Sequence, residues 1–155
     1  FMTPDENFEQ LHLELPPPTH PRGLYKTLVV QGNTCYLAGH GPLKPDNSYM
    51  RGKVGLDLSL EEGKEAAHQT ALAIIATIKS KLGSLNKIKS VIKITGLVNC
   101  VPDFRNHPTV MDGCSELFAK IWGDENGLGV RSTVGISSVP FNVAVEIEAV
   151  FELYD

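Results

Sequence analysis

No stretch of this chain stays apolar for the length of a membrane span, so a membrane is not expected among its partners. Its five histidines show no ligand spacing, and no metal site is expected. The three cysteines, Cys35, Cys100 and Cys114, form neither a CxxC pair nor a zinc-ligand pattern. Their odd number, with no leader read at the start, predicts reduced thiols in the core of a cytoplasmic protein. The 14 glycines never gather into a phosphate-binding fingerprint. Aromatic residues make up 7% of the chain, and none interleaves with the basic cluster Lys79, Lys81, Lys87, Lys89 and Lys93. With 14 basic against 18 acidic residues the net charge is -4, so no global field draws the protein to nucleic acid. The lysine cluster reads as a solvated face, and nucleic acid is not expected as a partner.

What is present is the material of one globular domain. Apolar residues are 42% and charged residues 21% of 155, enough for a single core and too few for two. Phe1, ahead of Met2, is read as foreign to the fold. Residues 1–22 carry Pro16-Pro17-Pro18 and Pro21 without a sustained period, which predicts an extended arm before a domain over 23–155. Tyr25 to Val30 and Cys35 to Ala38 are β-prone runs around the turn Gln31-Gly32-Asn33, and Lys44 to Asp57 reads as loop. Ser59-Leu60-Glu61-Glu62 is a capping box that opens a helix. Its stripe of Ala67, Ala71, Ile74, Ile75, Ile78 and Leu82 ends at Gly83, a natural C-cap. Lys87 to Val101 alternates as a strand, with Ile88, Ile92, Ile94, Val98 and Cys100 on one side and Val91, Thr95, Leu97 and Asn99 on the other. A second helix is predicted from after Pro108 to near Trp122-Gly123. The order β-β-α-β-α-β-β, with two helices to cover one face of a mixed sheet, predicts a two-layer α+β sandwich.

The last quarter carries the chemistry. In the closing strand Val143, Val145, Ile147, Ala149, Phe151 and Leu153 share one face, against Ala144, Glu146, Glu148, Val150 and Glu152. In the strand before it Val130, Ser132, Val134 and Ile136 oppose Arg131, Thr133 and Gly135. If both apolar sets lie on one core, Arg131 and Glu146 project together from the other face. That face, with Val91, Thr95, Leu97, Ala144 and Val150, is too small and apolar for water, which predicts cover by copies of the same chain. A solvated mixed sheet in a monomer is the competing account.

From Arg131-Ser132-Thr133-Val134 through Val139-Pro140 to Glu146-Ile147-Glu148-Ala149, the chain resembles the YjgF/RidA family (reactive intermediate deaminase A, also called endoribonuclease L-PSP). Upstream, Gly32-Asn33 and Gly39 keep the spacing of that family's first hairpin, which sets Tyr25 on its tyrosine. The likeness covers most of the chain from Gly23 and is closest to the longer branch, with an insertion around Asn106-His107-Pro108. The resemblance implies a chorismate-mutase-like fold assembled as a homotrimer with clefts between subunits. It implies hydrolysis of enamine and imine intermediates such as 2-aminoacrylate to a 2-oxo acid and ammonia, with no cofactor. By the same resemblance Tyr25 forms a wall, and Gly39 and Thr133 touch substrate or water. Asp112 falls near the cleft's helical asparagine, and His40 beside the cleft could gate protonation.

The residue types suit that chemistry. A guanidinium can hold a substrate carboxylate by two parallel hydrogen bonds, the part expected of Arg131. A carboxylate can activate water and return a proton to the leaving nitrogen, the part expected of Glu146. The partners implied are the chain itself and a small carboxylate-bearing metabolite. Simpler accounts stand beside these: an arginine on a surface strand, a glutamate paired across the sheet, an ordinary strand tyrosine. Two further functions are compatible with the same residues, a non-catalytic trimer that binds small carboxylates and an RNA-cleaving protein. The family's archetypes carry cysteine where Thr133 stands and serine where Ala38 stands, and an aspartate at 112 would repel an anion.

Overall fold

The computed structural model describes residues 2–155, so Phe1 lies outside the described residues. The elements are α1 (Pro4–Gln10), β1 (Leu28–Gln31), β2 (Thr34–His40), α2 (Leu60–Leu82), β3 (Ile88–Asn99), α3 (His107–Gly127), β4 (Val130–Ile136) and β5 (Val145–Leu153). From β1 onward the order is the one predicted. The sheet runs β1-β2-β5-β3-β4, antiparallel except where β4 lies parallel to β3. Helix α3 makes the crossover that a parallel pair needs. Together α2 and α3 pack on one sheet face, which gives the two-layer α+β architecture expected.

The leading segment departs from the expectation of an arm extended throughout. Thr3 and Glu6 form a reciprocal capping box, and Pro4 sits in the first turn, where its missing N–H costs nothing. The short helix is then tied to the body. Asn7 Nδ2 donates to the Ile121 carbonyl at 2.9 Å, and the Leu85 N–H donates to Asp5 at 3.0 Å. Phe8 is buried. The prolines that dominate this stretch stop a regular period after it, not before.

Helix α2 forms as its caps require. Ser59 Oγ accepts from the Glu62 N–H at 3.1 Å, Glu62 returns the bond to Ser59 at 3.0 Å, and Gly83 closes the helix at φ +88°. Its stripe of Ile74, Ile75 and Ile78 is wholly buried. Helix α3 loses helical geometry at Gly123 (φ +84°, ψ +164°), beside the predicted end. The two helices touch through Gly113, where a Cβ would stand 2.1 Å from the Lys64 carbonyl oxygen.

Two strands present faces other than those predicted. In β3, register shifts after Ile88 and Val91 turn Val91 inward and leave Ile92 exposed. A bulge reverses the alternation beyond it. In β4 the whole strand is inverted. Arg131 pairs in register with Ile94, which is a core residue, so Arg131, Thr133 and Gly135 look toward the helices. Val130 and Val134 look outward and are 67% and 48% exposed. As an edge strand, β4 meets the N-terminal half of α3, where Asp112 and Ser115 accept hydrogen bonds from Arg131. Glu146 stays on the open face, in register with Leu97. The two charges expected to share one side of the sheet therefore lie on opposite sides.

Candidate functional site

Glu146 lines a pocket of about 360 Å³ on the open face of the sheet. The walls are Tyr25, Tyr49, Phe141 and Arg22, with Gly39 and Leu97 in the floor and Glu148 at the rim. The floor exists because β2 shifts register between Leu37 and His40 and carries glycine at its bulge. A Cβ on Gly39 would stand 2.7 Å from Glu146 Cδ, so the carboxylate occupies space that only glycine leaves free. Burial raises the Glu146 carboxyl above its usual range, and the neighbouring Glu148 charge adds to the rise. Among the described residues its side chain accepts no hydrogen bond. A half-buried acid of this kind, open to a pocket, can exchange protons with a bound molecule.

The second predicted group forms a separate cluster. Arg131 Nη1 donates to Asp112 Oδ1 at 2.8 Å and to Ser115 Oγ at 3.1 Å. The side chains are 25% and 47% exposed, so the pair is a half-solvated ion pair at the sheet's edge. Asp112 thus serves Arg131 and does not reach the Glu146 pocket. Thr133 sits on the same inward face, opposite Gly96 across the ladder.

His40 is corrected from site to core. It is 1% exposed, its Nδ1–H donates to the Ala38 carbonyl at 2.7 Å, and Nε2 accepts from the Thr77 hydroxyl at 2.8 Å. Burial lowers its pKa and favours the neutral ring, and the side chain is not part of the pocket lining. The cysteines are all free and buried, and burial pushes Cys35 up to about 11. No helix of the described residues is long and apolar enough to cross a membrane. Among the described residues no three His, Cys, Asp or Glu side chains gather where a metal ion could be held.

The fold and these residues meet a known pattern. The model of the family described as "YjgF/chorismate_mutase-like, putative endoribonuclease" matches residues 8–152. The chain belongs to the YjgF/RidA family. Protein TCP17 of Trypanosoma cruzi is 33% identical over 147 residues, which span 95% of this chain and 92% of that protein. The 2-iminobutanoate/2-iminopropanoate deaminase of Dermatophagoides farinae is 28% identical over 131 residues, 84% of this chain and 86% of that one. Among solved structures, the protein Atu1372 of Agrobacterium tumefaciens has a TM-score of 0.87 at 33% identity, covering 98% of this chain and 94% of that one.

Within the YjgF/RidA framework, one predicted set of residues becomes two. Tyr25, Gly39 and Glu146 come together, whereas Arg131, Thr133 and Asp112 gather on the far side of the sheet. Sequence reasoning missed Arg22, Tyr49 and Phe141. Arg22 stands in the proline-rich arm and Tyr49 in a loop, where no period marks a residue as inward. Phe141 lines the pocket because it takes φ +61° after Pro140, a conformation that a bulky residue seldom adopts.

Proposed function

We propose that this protein hydrolyses reactive enamine and imine intermediates of the 2-imino acid type to 2-oxo acids and ammonia. The observation that carries the reading is Glu146, a carboxyl raised in pKa and facing a pocket. The chemistry asks little beyond a positioned proton carrier. An enamine such as 2-aminoacrylate first takes a proton from solvent on its terminal carbon and becomes the protonated imine, an iminium ion. The carboxylate form of Glu146 then accepts a proton from water as the water oxygen bonds to the imine carbon. The same group, now protonated, gives that proton to the nitrogen of the carbinolamine. As the C–N bond breaks and ammonia leaves, Glu146, a carboxylate again, accepts the hydroxyl proton; the C=O of the 2-oxo acid forms, and that proton returns to solvent in place of the one the enamine took. A pKa shifted toward the working pH serves both halves of this exchange.

The working unit of this proposal is a cytoplasmic homotrimer. Val130, Val134 and Tyr36 are large apolar residues on the open face, 67%, 48% and 49% exposed, and they favour burial against another copy. Because Arg131 and Thr133 face away from the Glu146 pocket of their own chain, they contribute to a cleft through the β4 edge of a neighbouring copy. The relative from Dermatophagoides farinae, a 2-iminobutanoate/2-iminopropanoate deaminase, supports the same substrate class.

The test couples the protein to an enzyme that generates 2-aminoacrylate and follows the release of 2-oxo acid above the spontaneous rate. Wild type should accelerate the release, and Glu146→Gln should lose about 10²–10⁴-fold of that acceleration. Equal rates with wild type, Glu146→Gln and no protein would contradict the proposal.

A further inference from the structure

Phe141 and Asn142 both take left-handed backbone angles, φ +61° and +55°. Neither is glycine, and such residues persist only where their surroundings enforce them. They stand in the turn that joins β4 to β5, from which Pro140, Phe141 and Val143 line the Glu146 pocket. The strain therefore belongs to a wall of the site, and it sets a phenyl ring there that is 54% exposed.

What enforces the strain lies behind that wall. Asn99, at the end of β3, is wholly buried and takes no part in the lining. Its Nδ2 donates to Asn142 Oδ1 at 2.9 Å and to the Val143 carbonyl at 3.1 Å, and comes within 3.3 Å of the Gly52 carbonyl oxygen. Its Oδ1 accepts from Lys53 Nζ at 2.9 Å, and the same ammonium donates to the Ser137 carbonyl at 2.8 Å. The backbone of Asn99 is used as fully: its N–H donates to the Ala144 carbonyl at 3.0 Å, and its carbonyl accepts from the Val54 N–H at 2.8 Å. Asn99 thus ties the end of β3 to the loop at 52–54 and to the turn at 137–144. Arg51 Nε and the Gly52 N–H add bonds to the Phe141 and Asn142 carbonyls, at 3.1 and 2.9 Å. A buried amide whose donors and acceptor are all engaged is fixed in one orientation, and it fixes the groups that it bonds.

We infer that Asn99, braced by Lys53, is a positioning residue of this site, locking the strained turn so that Phe141 stands as a wall of the Glu146 pocket. The inference rests on the reading of this pocket as the imine site. Asn99 acts through Asn142 and Val143 and touches no bound molecule. Glu146 itself is seated in the ladder between β5 and β3, opposite Leu97, so release of the turn leaves the carboxyl where it is. What is lost is one side of the pocket: substrate meets a looser wall, and water gains access to Glu146.

The test compares wild type with Asn99→Ser and Asn142→Gly, two uncharged replacements outside the lining. Three quantities are read: KM and kcat for a 2-imino acid generated in situ, the titration midpoint of the Glu146 carboxyl by NMR, and the melting temperature. Both variants should raise KM about tenfold, the scale of a lost buried hydrogen bond, while kcat holds. The Glu146 midpoint should fall toward the ordinary carboxylate range as its surroundings become wetter. Asn99→Ser should also melt earlier. Asn142→Gly should hardly change the melting temperature, because glycine takes a left-handed angle freely and relief of strain offsets the lost bond. A side chain with a part in stability alone would leave KM and the midpoint untouched in that variant, which decides the matter even if Asn99→Ser fails to fold. Wild-type KM and wild-type midpoint in a folded Asn142→Gly overturn the inference and leave the imine reading standing. Absence of turnover in wild type removes the imine reading instead; a midpoint that still falls in Asn142→Gly then keeps the positioning role, and an unmoved one removes it as well.

Discussion

Arg131 on β4 and Glu146 on β5 flank the same strand, β3, and meet opposite conditions. Arg131 points toward the helices, where Asp112 and Ser115 accept its hydrogen bonds. Glu146 points to the open face, where burial and the Glu148 charge disfavour its ionised form. The first charge is matched by its own chain, and the second is left to be matched by something that enters the pocket. A matched charge at a sheet edge is held in place by its own chain. A mismatched one beside a cavity has proton affinity to spend on a ligand. Within a single chain, the difference locates the chemistry on the glutamate side.

Three substitutions sharpen that contrast. The largest effect on function is expected from Gly39→Ala. The added methyl would meet Glu146 Cδ at 2.7 Å and Cγ at 2.9 Å, displacing a flexible side chain and not the backbone. Misplacing the carboxylate by about 1 Å should cost on the order of 10²-fold in imine turnover. The melting temperature should hardly move. A variant with full turnover would show that the carboxylate's position is immaterial.

Gly113→Ala acts on the helix side alone. Its methyl would collide with the Lys64 carbonyl oxygen at 2.1 Å, and backbone cannot step aside as a side chain does. Denaturant unfolding should show a loss of about 1–3 kcal/mol or more, while the molecules still folded keep their turnover. A selective loss of turnover at unchanged stability would break the proposed division between the two faces. The smallest effect belongs to Asp112→Asn. An ion pair this exposed contributes roughly 0–1 kcal/mol, so unfolding should change by no more than that. A larger loss would mean that the pair holds β4 to α3 far more firmly than its exposure allows.

The fold was largely legible because its signals are local. Ser59, Glu62 and Gly83 bracket α2 by cap chemistry alone, and β5 keeps strict alternation because helices cover one face along its length. What the pattern misassigned lies where a local rule meets a non-local condition. Val91 and Ile92 exchange faces at register shifts that only a partner strand can impose. The valines of β4 face outward because its register on β3 sets Arg131 beside the core residue Ile94. His40 looked like a site histidine beside Gly39 and Gly41, yet the bulge between Leu37 and His40 leaves it on the core side. Of the site, Tyr25, Gly39 and Glu146 were legible through family resemblance. Arg22 and Phe141 were not, since the one depends on where an arm folds back and the other on a positive φ.

The measurement that tests the account most directly is the pH dependence of imine turnover, corrected for the spontaneous reaction, in wild type and in Glu148→Gln. Burial and the Glu148 charge both raise the Glu146 carboxyl, so the base form, and with it the rate, should climb through a midpoint above the usual carboxylate range. Removing the Glu148 charge should move that rising limb to lower pH. A flat profile, or a limb that stays in place when Glu148 is neutralised, would contradict the assignment of Glu146 as the working group.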